Sequence, residues 1–314
     1  MGSQVMKAPG GTAAVAPSYA RRSRQLRRLV PIYLFLLPGM ALFLTWQLYP
    51  LADAFVMSFF HWNLLEPSTF IGLNNYQRAL SDPLFWQSLR NVVVYTVITV
   101  PGQMVLGLAA ALLLDQSLRF RAVFRTLYYL PVITSWVVVS IMFTYLYNSQ
   151  AGPLNYLLDD VLHIIPNYQI WLGDPNTALP SIATMGIWKG TGWNMVIFLA
   201  GLQSIPREVY EAAKVDGAGA IKRFTHITLP LLRPTTTFLV VVLVIGGLNT
   251  FIPVWIMTQG GPIHSTETIL TYMYKKAFAD IDLGYGAAIS YLFTALIFLI
   301  SVAEIRILRR RYEY

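Results

Sequence analysis

Long stretches without charge constrain this chain more than any other feature. A helix needs about 20 mainly apolar residues to cross a bilayer core. Residues 29–52 run uninterrupted between Arg28 and Asp53, and residues 91–114 between Arg90 and Asp115. Residues 126–158, 234–263 and 283–303 are likewise free of charge. A sixth candidate, 178–203, is interrupted by Lys189 and by Gly186, Gly190 and Gly192, and is the weakest on composition. The whole chain is 55% hydrophobic and 12% charged, against about 25% charged for a soluble domain. An all-α integral membrane protein follows, with spans expected at 29–49, 91–114, 127–147, 178–203, 235–257 and 283–303. The first is too long for the apolar core of a signal peptide and no cleavage site stands out, so it is kept as a helix.

Loop charge tests that count, because lysine and arginine accumulate on the cytoplasmic side. With six spans, 18 of the 23 basic residues fall on one side: in 1–28, in the loop holding Arg119, Arg121 and Arg125, in 204–234, and at the C-terminus. Dropping the fourth span would place the basic 204–234 loop outside. Both termini are therefore expected in the cytoplasm, with 1–28 a disordered basic tail and 309–314 a short basic one. This distribution also accounts for the net charge of +8 without nucleic acid; Arg21–Arg28 sets topology and meets anionic lipid. The chain has no cysteine, hence no thiolate nucleophile or thiolate metal site, and His61, His163, His226 and His264 show no ligand spacing. No Gly-Lys pair is present, so a phosphate-binding loop of the usual form is absent.

The 204–234 loop has legible local physics. Pro206 suits the first position of a helix, and Glu208 and Glu211 favour its positive end. Asp216-Gly217 reads as a stop, followed by a second short helix over 220–228 ended by Pro230. The small Ala212 and Ala213 let a partner surface approach. On these grounds alone, an ordinary amphipathic loop lying on the membrane fits as well.

Glu211-Ala212-Ala213, then Gly217, Ile227 and Leu229-Pro230, resemble the E-A-A-x(3)-G-x(9)-I-x-L-P signature of ATP-binding-cassette importer permeases, with the same spacings. Segments such as Phe70-Ile71-Gly72-Leu73-Asn74-Asn75-Tyr76, Tyr129-Leu130-Pro131 and Thr258-Gln259-Gly260-Gly261-Pro262 are similar to the carbohydrate-importer subfamily of maltose and glycerol-3-phosphate type. The chain looks like its first permease subunit, without the large external insertion of the enterobacterial maltose protein. The resemblance implies a type I importer permease fold and a docking element of Glu208, Glu211, Ala212, Ala213, Asp216, Gly217, Ile227, Leu229 and Pro230, seated in a cleft of an ATPase subunit. It further implies two such ATPases, which bind ATP and magnesium where this chain holds no cofactor, and a second six-helix permease. An external solute-binding protein and a sugar substrate complete the set.

The translocation path is read from polar and aromatic residues inside spans, which usually face the protein interior or a water-filled cavity. Trp188, Lys189 and Asn194 in the fourth, Asn249 and Trp255 in the fifth and Tyr291 in the sixth are the candidates. Lys189 reads either as a path residue or as an inter-helix ion-pair or subunit contact. Gly260, Gly261 and Pro262 read as a binding-protein contact or a simple turn. Two rivals stay open: the same machine carrying glycerol 3-phosphate or another polar solute, and a stand-alone secondary transporter. The latter lacks an intramembrane carboxylate to couple an ion. An intramembrane protease lacks a Ser/His pair or metal motif.

Overall fold

The computed structural model describes residues 18–63, 65–116 and 119–309, with side chains from 31 to 308. It divides into two units, Met1–Ala54 and Phe55–Tyr314. The first holds α1 (Ser18–Phe43), a π-helical turn at Leu44–Leu48 and the start of α2 (Tyr49–Met57). Helix therefore begins inside the segment expected to be disordered, since its Ala, Arg, Gln and Leu residues are good helix formers. Residues 1–17 of that expectation lie outside the described ones. The helix also continues past Asp53, so a single carboxylate near the end of an apolar run does not terminate it.

In the second unit a short antiparallel ribbon pairs Phe60 with Phe70 and His61 with Thr69. It leads to α3 (Asn74–Ser81) and the 33-residue α4 (Pro83–Asp115). Asp82 accepts a hydrogen bond from the Leu84 N–H at 2.9 Å and Pro83 fills the first turn, which is the chemistry of a helix start. α4 thus begins at Pro83 rather than Asn91, and Arg90 rides on it. α5 (Arg121–Ile133) and α6 (Trp136–Leu146) replace the single helix expected over 127–147; they meet at a 96° bend. α7 (Ala178–Gln203), α8 (Arg207–Val215) and α9 (Ala220–Arg223) follow. α10 (Arg233–Leu248) and α11 (Ile252–Met257) occupy the fifth expected span, α12 (Ile269–Tyr274) lies in the next connection, and α13 (Leu283–Arg309) closes the chain.

Among the described residues, four stretches are long and apolar enough to cross a membrane: Pro31–Met57, Pro83–Asp115, Arg233–Met257 and Leu283–Leu308; the bent α5–α6 pair makes a fifth if it is one span. α7 is long enough but falls short on hydropathy. The reason is its position: 15 of its 26 residues are buried, with α4 and α5 as its principal neighbours, so it is solvated by protein. Glycines permit this. A Cβ on Gly107 would lie 2.5 Å from the Asn194 Cβ, and one on Gly192 would lie 2.0 Å from the Tyr128 carbonyl oxygen. Small residues at such crossings let helix backbones pack closely in membranes.

Gly192→Ala is therefore expected to lower stability by ~1–3 kcal/mol through overpacking against backbone, read as a lower thermal midpoint in detergent. Gly246→Ala is the control, because no atom lies within 4 Å of the added methyl; an equal loss in both variants would refute the close crossing.

Candidate functional site

The 204–234 segment forms two tied helical pieces. Pro206 is the N-cap of α8 rather than its first residue, with Glu208 in the first turn. α8 ends in a Schellman arrangement: the Ala218 N–H donates to the Ala213 carbonyl at 2.9 Å and the Gly217 N–H to that of Lys214 at 3.1 Å. Gly217 has φ +76° with nothing within 4 Å of an added Cβ. Its glycine is thus required by the backbone turn, not by close packing. Tyr210 and Thr228 share a hydrogen bond at 3.0 Å, and the Arg223 guanidinium donates to the Ala218 carbonyl at 2.9 Å. The second helix differs from expectation. It runs through a π-helical stretch, Phe224–Thr228, and a helical turn at Leu229–Leu231, so Pro230 does not end it. Pro230 sits where its missing N–H is needed least, at the start of that turn. Glu208, Glu211, Ala212, Asp216, Gly217 and Leu229 are exposed, while Ala213, Ile227 and Pro230 are half-buried.

A cavity of about 600 Å³ lies between α4, α5, α7 and the α10–α11 break, lined in part by Gln103, Trp136, Lys189, Trp193, Asn249 and Phe251. Lys189 is buried, 4% exposed. Its Nζ donates to the carbonyls of Pro131 at 2.8 Å, Val132 at 3.2 Å and Thr134 at 2.6 Å, and lies 4.8 Å from the Trp136 ring centroid. These carbonyls are the ones the α5–α6 break leaves without helical partners. Lys189 is thus the C-terminal cap of a broken helix, delivered from a neighbouring one; no ion pair to it is present among the described residues. The Asn249 Nδ2 donates to the Ile245 carbonyl at 2.8 Å at the end of α10.

The other expected path residues scatter. Trp188 faces a second cavity of about 940 Å³, chiefly apolar, and packs on Phe143 with ring centroids 5.3 Å apart. Asn194 is fully buried and donates to Gln103 at 3.2 Å. Trp255 stacks on Phe251 at 5.7 Å, and Tyr291 meets Phe55 edge-on at 4.9 Å; neither lines these two cavities. Gln103, Trp136 and Trp193 were not singled out from sequence. Gln103 carried a usable signal, an amide midway along a charge-free span.

At the far end of the bundle, Gly260 has φ +87° over a fully buried Glu267. Glu267 Oε2 accepts from Lys275 Nζ at 2.6 Å and lies 3.1 Å from His264 Nδ1. Asn91 Nδ2 donates to the carbonyls of both His264 and Glu267 at 2.9 Å. Gly260 is buried and Gly261 and Pro262 half-buried, whereas Ile263, at φ +47°, is 84% exposed. Nearby, burial pushes the Asp82 carboxyl up, but hydrogen bonds from Tyr272, Tyr285 and the Leu84 N–H outweigh it, leaving its pKa below the usual value.

The family model described as binding-protein-dependent transport system inner membrane component matches residues 103–314. The probable ABC transporter permease protein YurN of Bacillus subtilis is 35% identical over 91% of this chain and 98% of its own length. The arabinooligosaccharides transport system permease AraP of the same organism is 34% identical over 95% of this chain and 96% of its own. The crystal structure of a bacterial ABC transporter that imports the acidic polysaccharide alginate shares the fold, with a TM-score of 0.82 over 93% of this chain and 100% of that one, at 23% identity.

Lys189→Met should leave three carbonyls without partners and lower stability by roughly 3 kcal/mol, with Lys189→Arg losing less. An unchanged thermal midpoint for Lys189→Met would contradict the capping role.

Proposed function

The chain belongs to the family of binding-protein-dependent transport system inner membrane components, and from that premise we propose that it forms half of the translocation path of an ATP-driven sugar importer. The observation that carries this reading is the exposed α8 face, Glu208, Glu211, Ala212 and Asp216, ended by the positive-φ Gly217. That face is the docking element for a cytoplasmic ATPase, with Ile227, Leu229 and Pro230 shaping the second piece behind it. Ala212 is small enough for close approach, and Glu211 is free to pair with a basic group.

The reading takes α7 as the sixth span, which puts both termini and the docking loop on the cytoplasmic side. The chain has no phosphate-binding loop of its own. ATP and magnesium therefore belong to two partner ATPases, and a second six-helix permease supplies the other half of the path. The solute-binding protein sits on the opposite side, where Gly260 packs over Glu267 and the turn through Gly261 and Pro262 leads to the exposed Ile263. In the membrane the path runs by Gln103, Trp136, Lys189, Trp193, Asn249 and Thr250. Amide and hydroxyl groups beside aromatic faces suit the hydroxyls and C–H faces of a sugar, and AraP is a permease for arabinooligosaccharides. Lys189 already serves three carbonyls, which argues against glycerol 3-phosphate or another anionic solute as cargo.

Proteoliposomes holding this chain with candidate partner subunits and binding protein test the reading. Uptake of labelled sugars should require ATP and binding protein, and Glu211→Ala with Gly217→Pro should reduce it on the order of tenfold or more. Uptake by this chain alone, indifferent to ATP and to the loop changes, would instead mean a secondary transporter.

A further inference from the structure

The second cavity, about 940 Å³, is a groove walled by α4, α5, α6 and α7 and lined by Leu113, Phe124, Tyr128, Val138, Met142 and Trp188 among others. One of its walls, α5, also carries two arginines that the docking and path assignments do not use. Arg121 and Arg125 lie one turn apart on α5, and Phe124 and Tyr128 of the groove share their helix face. With its amide oxygen turned toward them, Gln203 accepts from Arg121 Nη2 at 2.7 Å and from Arg125 Nη2 at 3.1 Å. Two guanidiniums held on one neutral oxygen repel each other. Their compensation within the chain is slight: Asp115 lies 3.8 Å from Arg121, and Arg125 has no carboxylate within ion-pair distance among the described residues. Both Nε–H groups are buried without an acceptor. α5 also begins here with no side-chain cap, its N-cap Phe120 at φ +66°, so the positive end of its dipole adds to the field.

We propose that this is a binding site for an anionic phospholipid, its phosphate on Arg121 and Arg125 and an acyl chain in the groove beside Trp188. The position fits: α4 ends at Asp115, α5 starts at Arg121 and α7 ends at Gln203, so the arginines stand where apolar spans give way to polar chain. Basic pockets between membrane helices bind anionic headgroups in this way. A free anion would use the arginines but leave the groove unexplained. A partner helix favours a seam of small residues, whereas this groove has mainly long and aromatic walls.

The test uses the full chain in phosphatidylcholine vesicles carrying brominated phosphatidylglycerol or, in parallel, brominated phosphatidylcholine. Phosphatidylglycerol should quench tryptophan fluorescence preferentially, and Trp188→Phe should remove that excess. Arg121→Gln with Arg125→Gln should lower the preference about thirtyfold, from the energy typical of two arginines near an anionic surface. Arg121→Lys with Arg125→Lys, which keeps the charge, should retain most of it. Inorganic phosphate should not displace the lipid. Equal quenching of the native chain by both lipids overturns the proposal, whatever the variants do. So does displacement by phosphate, which marks a free-anion site, or a phosphatidylglycerol excess that survives Trp188→Phe. Loss of the excess when a second permease is added would mean that a protein helix fills the groove, and also overturns it.

Discussion

A backbone carbonyl in apolar surroundings must find a donor within the protein, and the turn between α5 and α6 breaks that supply. At Thr134 and Ser135 the helix stops and turns by 96°, freeing the carbonyls at the end of α5. The Lys189 ammonium, three donors on a long stem, meets three of them. Much depends on this capping. The bend aims α6 away from α5, and both cavities are lined from around it: one by Val132 and Trp136, the other by Pro131, Thr134 and Val138. Without a donor from α7, the bend would leave unsatisfied groups that favour a straight helix and a closed interior.

The same helix joins the cavity to the surface that faces the ATPase in the proposed assembly. α7 contributes Lys189, Gly190 and Trp193 to the cavity wall and runs on to Gln203, where the docking segment starts. α10 begins at Arg233, where that segment ends, and brings Val242, Leu243 and Gly246 back to the same wall. The segment between them is tied internally by the Tyr210–Thr228 and Arg223–Ala218 bonds and rooted by buried Ile205 and Leu232. A displacement of α8 thus has two stiff helices through which to reach the cavity. In the proposed assembly, coupling would mean that this packed element has two arrangements, biased at one end by a partner and at the other by solute.

Much of this was legible in the sequence where chemistry is local. Asp216-Gly217 announces a helix stop, and Gly217 takes the positive φ such a stop needs. The Pro206 start is right within one position. Four of the expected spans, and a fifth if the bent α5–α6 pair is one span, follow from charge-free length; α7, weakest by composition, has 15 of its 26 residues buried within the protein. The break in the third span was not legible. Thr134 and Ser135 are uncharged, hydropathy continues across them, and Pro131 is tolerated inside α5. The Lys189 role was hidden for a related reason. Its partners are backbone carbonyls, which no side-chain pattern reveals, so the choice among a path residue, an ion pair and a subunit contact omitted what the structure shows. Trp188 and Lys189 are adjacent in sequence yet face different cavities, because successive residues on a helix point about 100° apart.

The central claim is that nucleotide-driven movement at α8 reverses access to the cavity beside α7. The chain has no native cysteine, so Asn249→Cys in the assembled transporter introduces a single thiol in this subunit at the cavity wall. Its labelling by an impermeant reagent would be measured from each side of the membrane, with and without ATP. The account predicts reaction chiefly from one side without ATP and chiefly from the other with it. Labelling from the same side in both conditions would contradict it.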